Sequence, residues 1–300
     1  MPVPGSITCP PPRPTLPRTR ECHSDRFPAI GTVAPDVRGA VRGGENGRVP
    51  YPAPYPPEPV RAEPPAAPGR PLLTQSWLDL AFLHWAADPA EVAPLLPAGT
   101  VPDTFEGVTY VGLIAFRTDR VGWLGLPGVP YFGSFPETNV RLYSVDALGR
   151  RGVVFRSLDA SRLVSVVVAR AGFRLPYQWA RMSVTRTGDV LAYTGTRRWP
   201  GPRGARSHIA LRVGAPIAEP TGLEHFLTAR WALHNDFHTG PLYLPNAHPR
   251  WPLRRAELLA CTEDLICAAG LSAPSGPPVS VLYSPGVRVR FGRPRRLRSG

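Results

Sequence analysis

The stretch Phe135-Pro-Glu-Thr-Asn-Val-Arg-Leu-Tyr143 alternates along its whole length. Every second side chain of an extended strand points to the same face. One face of this strand carries four polar or charged side chains: Glu137, Asn139, Arg141 and Tyr143. An ordinary half-exposed strand, with its polar side in water, has the same pattern. However, an acid, an amide, a guanidinium and a phenol in register also suit a pocket wall. We therefore predict that this strand is the centre of the fold and the candidate site.

Length and composition predict a folded domain with a separate N-terminal extension. The chain has 300 residues, of which 43% are hydrophobic and 19% charged, enough for a sizeable core. Nineteen of its 40 prolines lie in residues 1–71. Proline-rich runs favour extended conformers without a core. We predict a disordered Pro-rich extension over residues 1–70 and a folded domain over residues 71–297.

The basic residues limit two classes of function. The formal net charge is +13, and residues 287–300 hold six arginines and no acid. Such a tail binds phosphate without sequence choice at best, so we expect no specific nucleic-acid partner. No lysine occurs anywhere in the sequence. The chain therefore offers no side-chain amine that could form a Schiff base with a carbonyl substrate.

The cysteines and the apolar runs indicate a cytoplasmic protein. The four cysteines are Cys9, Cys22, Cys261 and Cys267, and none shows a zinc or redox spacing. We expect free thiols in a reducing compartment. No apolar run approaches the length of a membrane span, so we predict no membrane partner.

The order of elements favours an antiparallel α+β domain. Roughly eight to ten strands, mostly joined by hairpin-like turns, outnumber the helices. Residues 279–283 and 287–291 have the pattern of a last strand pair around Pro285 and Gly286. Few segments of the chain show the strand–helix–strand order that a parallel sheet requires.

A short helix is predicted over residues 88–96, with Asp88 as its N-cap and Pro89 at its first helical position. Three longer helices are predicted over residues 160–171, 223–233 and 257–269. Asp159 is placed to cap the first of these three. Val164, Val167, Val168 and Ala171 share one apolar face of that helix. Thr221 and Glu224 form a capping box at the start of the second.

Five segments carry a resemblance to a known family: residues 77–85, 135–141, 157–159, 175–177 and 248–253. By these segments the chain resembles the uncharacterised YqjF-like family, domain of unknown function 2071, whose members share the acetoacetate decarboxylase-like fold. The resemblance covers about residues 72–297. It implies a mostly antiparallel, cone-like β-barrel with flanking helices and an internal cavity.

The resemblance to true acetoacetate decarboxylases is weaker, and it lacks the reactive group. Their reactive lysine follows a turn after a helix, and residues 172–178 look similar here. Tyr177 or Gln178 occupies the approximate place of that lysine. Decarboxylation of a β-keto acid requires an electron sink, which an imine or a metal supplies. Because the imine is excluded, the decarboxylase activity is not carried over, and we predict no cofactor.

Arg141 is the predicted anchor for an anionic ligand. A planar guanidinium can bind a carboxylate through two hydrogen bonds, and burial strengthens that contact. The alternative is a structural ion pair with Glu137, four residues away on the same face. Glu137 itself could act as a general base if burial raises its pKa. Asn139 and Tyr143 could orient a ligand or only satisfy buried neighbours.

Two further side chains complete the predicted site. Tyr177 is a possible acid near the place of the missing lysine, or an aromatic packed at the mouth of the barrel. His248 is a candidate proton carrier in a rigid segment rich in proline and tryptophan, or a histidine that stabilises a loop. His234 and His238 have the spacing of a metal pair on a helix but lack a third ligand, so we predict no metal site.

The sequence favours a binding domain, or an enzyme of open reaction, that holds a small anionic organic molecule in the barrel cavity. One alternative is a non-catalytic interaction protein that recruits partners through its Pro-rich extension or arginine tail. Another is a metal-dependent lyase that uses His248 or the pair His234 and His238. The sequence does not predict an oligomeric state.

Overall fold

The computed structural model describes residues 55–65, 69–123 and 133–297. Most of the predicted Pro-rich extension lies outside these residues. Within them the chain forms thirteen strands that belong to one sheet, with four short α-helices. This sheet-dominated architecture agrees with the predicted preponderance of strands over helices.

The bounds of the elements are as follows. The strands are β1 Leu73–Ala87, β2 Thr100–Pro102, β3 Thr109–Trp123, β4 Phe135–Asp146, β5 Arg151–Ala160, β6 Tyr177–Thr187, β7 Val190–Trp199, β8 Arg206–Pro216, β9 Ala232–Phe237, β10 Gly240–Ala247, β11 Arg254–Glu263, β12 Ser280–Phe291 and β13 Arg295–Arg296. The helices are α1 Pro89–Val92, α2 Leu163–Phe173, α3 Gly222–Thr228 and α4 Leu265–Ala268. In the described part of the chain, no helix has the length and apolar character needed to cross a bilayer.

The strand pairings close two rings that share a wall. The pairings run from β4 through β3, β1, β12, β11, β8, β7 and β6 to β5, which pairs with β4 again; this is the nine-strand ring. Further pairings connect β12 to β10, β10 to β9 and β9 to β5. Together with β4, β3 and β1, these four strands make the seven-strand ring. The pairs are antiparallel except those of β5 with β6 and with β9.

The shared wall explains why β4 is buried on both faces. Val140 and Leu142 belong to the first core, which fills the nine-strand ring. Tyr143 belongs to the second core, with Phe82 and Phe226, inside the seven-strand ring. All but one residue of β4 are buried, and Pro136 is half-buried. An ordinary half-exposed strand is therefore excluded for β4.

The predicted helix over residues 257–269 is wrong. Most of this segment is β11, which pairs with β8, and only Leu265–Ala268 is helical. The ladder between β8 and β11 shifts register twice, once before Ala256 and once before Ala260. An extra residue in a strand breaks its strict alternation, and the broken alternation imitates a helical period.

The predicted strand pair around Pro285 and Gly286 is also wrong, because β12 passes through both residues without turning. Gly286 pairs with Leu78 of β1 and has φ +129°. A Cβ on Gly286 would lie 2.2 Å from the carbonyl oxygen of Trp77. Gly286 therefore allows the two backbones to approach closely instead of forming a turn.

The helices differ from their predictions at their ends and in their packing. α2 begins at Leu163 rather than residue 160, and Asp159 does not cap it. Val164, Val167 and Val168 share a face as predicted, yet that face is exposed. α3 has the predicted capping box, but it ends at Thr228 because the chain continues into β9.

Residues 55–65 are attached to the turn between β4 and β5. The Glu58 amide donates to the Gly149 carbonyl at 2.8 Å. The Trp231 indole donates to the Arg61 carbonyl at 3.1 Å, and Val60 packs against the second core. These contacts lie before residue 71, where the sequence predicts the folded domain to begin.

Candidate functional site

Arg141 lies in the second core with neutral hydrogen-bond partners. Its Nη2 donates to the Leu227 carbonyl at 2.7 Å, and its Nε donates to the Tyr143 hydroxyl at 3.2 Å. The guanidinium carbon lies 5.7 Å from the ring centroid of Phe82 and 5.6 Å from that of Tyr143, within cation–π range. The predicted alternative, an ion pair with Glu137, does not form.

A glycine makes room for this arrangement. Gly112 of β3 lies between His84 of β1 and Arg141 of β4 in the ladder. A Cβ on Gly112 would lie 3.2 Å from Arg141 Cγ, from His84 Cδ2 and from the Tyr143 hydroxyl. The missing side chain therefore lets three functional groups approach one another over the sheet.

His84 is a neutral, buried histidine without a hydrogen bond. Among the described residues neither ring nitrogen has a hydrogen-bond partner. Burial lowers the pKa of His84 well below its usual value, and the charges of Arg141 and Arg230 lower it further. The imidazole therefore adds polar atoms, but no charge, beside Arg141.

Guanidinium groups outnumber carboxylates around Tyr143 and Phe226. Arg230 lies over both rings, at 4.7 and 4.2 Å, and Arg151 lies 5.7 Å from the Phe226 centroid. Asp103 accepts hydrogen bonds from both of these arginines. Within the described ranges, no carboxylate bonds to Arg141. Arg151 and Arg230 thus share the buried carboxylate of Asp103, and Arg141 has no carboxylate partner among the described residues.

Glu137 forms the opposite end of the polar face of β4. Its Oε2 accepts a hydrogen bond from the Tyr177 hydroxyl at 3.1 Å and lies 3.5 Å from the Thr118 hydroxyl. Burial raises the pKa of Glu137 to about 8, although hydrogen bonds, that of Tyr177 foremost, oppose the shift. Glu137 is therefore mostly a neutral acid at pH 7.

Asn139 lies between the neutral acid and the guanidinium. Its side chain is buried, and its Oδ1 has no hydrogen-bond partner in the part of the chain that the structure describes. Four residues of a strand separate Glu137 and Arg141 by about 13 Å at roughly 3.3 Å per residue. The face thus presents a cation, an open carbonyl and a proton donor in a row.

His248 lies close enough to Arg141 for the charge of the guanidinium to lower the pKa of the imidazole. Its Nδ1 is 2.7 Å from the Pro249 carbonyl, which only accepts, so Nδ1 carries the proton. The rings of Trp231 and Trp251 each lie 4.5 Å away, centroid to centroid. Burial lowers the pKa of His248 to about 4, and Arg141 adds to the shift. His248 is therefore neutral at pH 7.

The pair His234 and His238 does not have metal-binding geometry. His234 lies in strand β9, with Nδ1 2.7 Å from the Ser144 hydroxyl and Nε2 3.8 Å from Asp146. His238 is exposed just beyond the end of that strand, so the two do not share a helix face. Among the described residues, no group of three His, Cys, Asp or Glu side chains could hold a metal ion.

Two concave regions elsewhere do not involve β4. One is a cavity of about 10 Å³ beside His225 and Trp251, large enough for about one water molecule. The other is a groove of about 300 Å³ between Gly99, Pro241 and Arg296. Neither is lined by a residue of the polar face.

The structure brings the predicted residues together in two groups. Tyr177 joins Glu137 at one end of the polar face, and Tyr143 and His248 surround Arg141 at the other. The sequence did not predict His84, Arg230 or Asp103 as members. A glycine inside a strand pattern marks a place where neighbouring groups approach the backbone closely. Gly112 could therefore have indicated that side chains of adjacent strands pack over that position.

The fold is shared with a solved acetoacetate decarboxylase-like enzyme from Sphingomonas wittichii RW1. The TM-score is 0.53 at 16% identity, over 79% of this chain and 97% of that chain. At this identity the similarity establishes the fold alone. It confirms the acetoacetate decarboxylase-like fold that the sequence resemblance implied, while the cone-like barrel and its internal cavity stay predictions.

The family is established by sequence. The family described as an uncharacterised conserved protein, domain of unknown function 2071, matches residues 74–288. The uncharacterised protein YqjF of Bacillus subtilis (strain 168) is 31% identical over 210 residues, which span 69% of this chain and 86% of that protein. The chain belongs to the family of domain of unknown function 2071.

Proposed function

We propose that the protein binds a small organic anion, a carboxylate or keto acid, against the polar face of β4, with Arg141 as the anchor. The observation that carries this proposal is the buried Arg141 guanidinium without a carboxylate partner among the described residues. A charge removed from water is costly unless it is paired. A ligand carboxylate would supply the missing counter-charge through two parallel hydrogen bonds.

The surroundings of Arg141 support an anion rather than a cation. Asp103 is already shared by Arg151 and Arg230, and His84 and His248 are neutral. The net charge around the ligand position is therefore positive. The Arg141 end of the polar face points into the seven-strand ring, and this is where we propose that the ligand lies. The nine-strand ring supports the cone-like barrel.

Glu137 gives the proposed ligand a second recognition point. As a neutral acid it would donate a hydrogen bond to a carbonyl or hydroxyl oxygen, with Asn139 and Tyr177 beside it. A keto acid of suitable length would engage both ends of the face. We propose binding only, since the chain has no lysine to form an imine with such a ligand.

The test is ligand-dependent thermal stability. Acetate, pyruvate and acetoacetate are each compared with the methyl ester of the same acid, which lacks the charge. A ligand that binds only the folded state should raise the Tm by about 2–4 °C for each kcal/mol of stabilisation, which equals RT ln(1 + c/Kd) at a free ligand concentration c. We expect an acid, but not its ester, to stabilise the protein, and Arg141→Met to abolish the effect.

Two variants keep this test decisive. Arg288→Gln removes an exposed arginine of β12 and should leave the stabilisation unchanged. Arg141→Lys keeps the charge without the planar fork and should bind more weakly; it also replaces Arg141→Met if that variant does not fold. The proposal is wrong if no acid stabilises the wild type, or if the Arg141 variants respond as the wild type does.

A further inference from the structure

The outer face of α2 is apolar and open to solvent. Leu163, Val164, Val167 and Val168 are 42, 57, 46 and 49% exposed. Their spacing places them side by side along one face of the helix. Val166 is the buried residue of α2 and packs with Phe135 and Trp179. The helix therefore rests on the protein by its inner side and presents a convex aliphatic ridge outward.

Only cationic side chains border this ridge in sequence. Residues 160–180 contain three arginines and no acid. Arg170 lies 5.6 Å from the ring of Trp199, which is itself partly exposed. Arg174 follows the last turn of α2 and is exposed. Asp159, the acid that precedes the helix, is buried and paired with Arg197. The surface therefore combines exposed aliphatic side chains, a partly exposed tryptophan and the positive charges of Arg170 and Arg174.

We propose that the α2 face docks on an anionic lipid surface. An interfacial helix buries an aliphatic face at the headgroup boundary while its arginines meet anionic headgroups, and tryptophan favours that boundary. The charge argues against a second copy of the chain, because a two-fold contact brings the same positively charged surface of both copies together. A convex ridge also lacks the pocket into which a protein partner inserts its anchor residues.

Peripheral docking is compatible with the absence of a spanning helix in the described residues. The sequence prediction of no membrane partner considered only segments that could cross a bilayer. A surface contact requires an exposed apolar face and basic residues, and the exposure of α2 could not be seen in the sequence.

The test is sedimentation of the full chain with lipid vesicles. We expect binding to phosphatidylcholine vesicles that contain phosphatidylglycerol, and little binding to phosphatidylcholine alone. The double variant Val164→Asp/Val167→Asp should lower the partition coefficient by about tenfold or more. Arg174→Gln should lower it by about fivefold. Added salt should weaken binding because it screens the exposed charges.

Leu259→Asp is the matched control, since Leu259 is 40% exposed on β11 and lies outside α2. It should bind vesicles as the wild type does, and circular dichroism should show all variants folded. The proposal is overturned if the wild type ignores anionic vesicles, or if Leu259→Asp loses binding as strongly as the double variant. A monomer–dimer equilibrium that the double variant abolishes, without vesicle binding, would instead assign the face to a second copy.

Discussion

Glu137 keeps its proton in the folded protein because burial penalises the carboxylate more than the hydrogen bonds of Tyr177 and Thr118 stabilise it. The pKa rises from 4.5 to about 8 on folding. Between these two values the folded state holds a proton that the unfolded chain has lost. This group therefore stabilises the protein fully below its unfolded pKa, and the stabilisation is lost as the pH rises towards about 8.

Glu137→Gln should remove this pH dependence while preserving the hydrogen-bonding shape. From about pH 7 to pH 8 the wild type should lose up to about 1.4 kcal/mol more than the variant in free energy of unfolding. His84, His234 and His248, whose pKa values burial lowers, contribute equally in the wild type and in the variant, so their titration cancels in the comparison. Urea denaturation at the two pH values measures the difference. An equal loss in both proteins would contradict the prediction.

At the scale of residues, the sequence predicted the polar face but not the contacts around it. Alternation placed Glu137, Asn139, Arg141 and Tyr143 on one side of β4, and they lie there. The proposed ion pair failed because four residues of strand hold its partners about 13 Å apart. Besides the Tyr143 hydroxyl, Arg141 bonds the Leu227 carbonyl, 86 residues away in sequence. Alternation within one strand contains no information about such a contact.

At the scale of elements, Gly286→Ala tests the close approach of β12 to β1. The new Cβ would lie 2.2 Å from the Trp77 carbonyl oxygen and 2.9 Å from Leu78 Cα, at a backbone φ of +129°. We expect a loss of about 2–4 kcal/mol in unfolding free energy, from backbone strain and overpacking together.

Gly172→Ala is the control, because nothing lies within 4 Å of a Cβ at that helical position. It should be neutral or stabilising by up to about 1 kcal/mol. Chemical denaturation of both variants gives the comparison. Similar stabilities for Gly286→Ala and Gly172→Ala would show that β12 and β1 can separate at no cost.

Local chemistry predicted some elements correctly and misled at others. Asp88 caps α1 with Pro89 at its first position, and Thr221 with Glu224 forms the predicted capping box. Both signals depend on residues a few positions apart. β11 and β12 were misassigned because irregular pairing with a distant strand decides their course. The α2 face was predicted as an apolar stripe, but the sequence could not specify what covers it.

At the scale of the whole molecule, residues 55–65 should contribute to stability although they precede the predicted domain. A chain that lacks residues 1–54 keeps the contacts of Glu58, Val60 and Arg61. A chain that lacks residues 1–65 loses them, together with the hydrogen bond of Arg151 Nε to the Glu58 carbonyl. We expect the longer truncation to cost about 1–3 kcal/mol more. Thermal unfolding of the two truncations measures this, and equal Tm values would refute it.

The family resemblance predicted the general architecture, while the two rings with their common wall required coordinates. Antiparallel neighbours in sequence, such as β6 and β7, follow from a turn at Gly188. The pairings that close the rings are different in kind. β10 meets β12 through two residue pairs, and β5 meets β9 through Val153 and Leu233 alone. Such brief, distant pairings leave no pattern in the sequence.

The wall shared by the two cores leaves β4 without an outward side. Eleven of its twelve residues are buried, so the strand has little freedom to vary without a packing penalty. The stabilities of the two cores are also coupled, because loosening the packing of either core removes a boundary of the other. The strand that carries the guanidinium is thus the least dispensable part of the architecture, and the position of that charge is as rigid as the molecule itself.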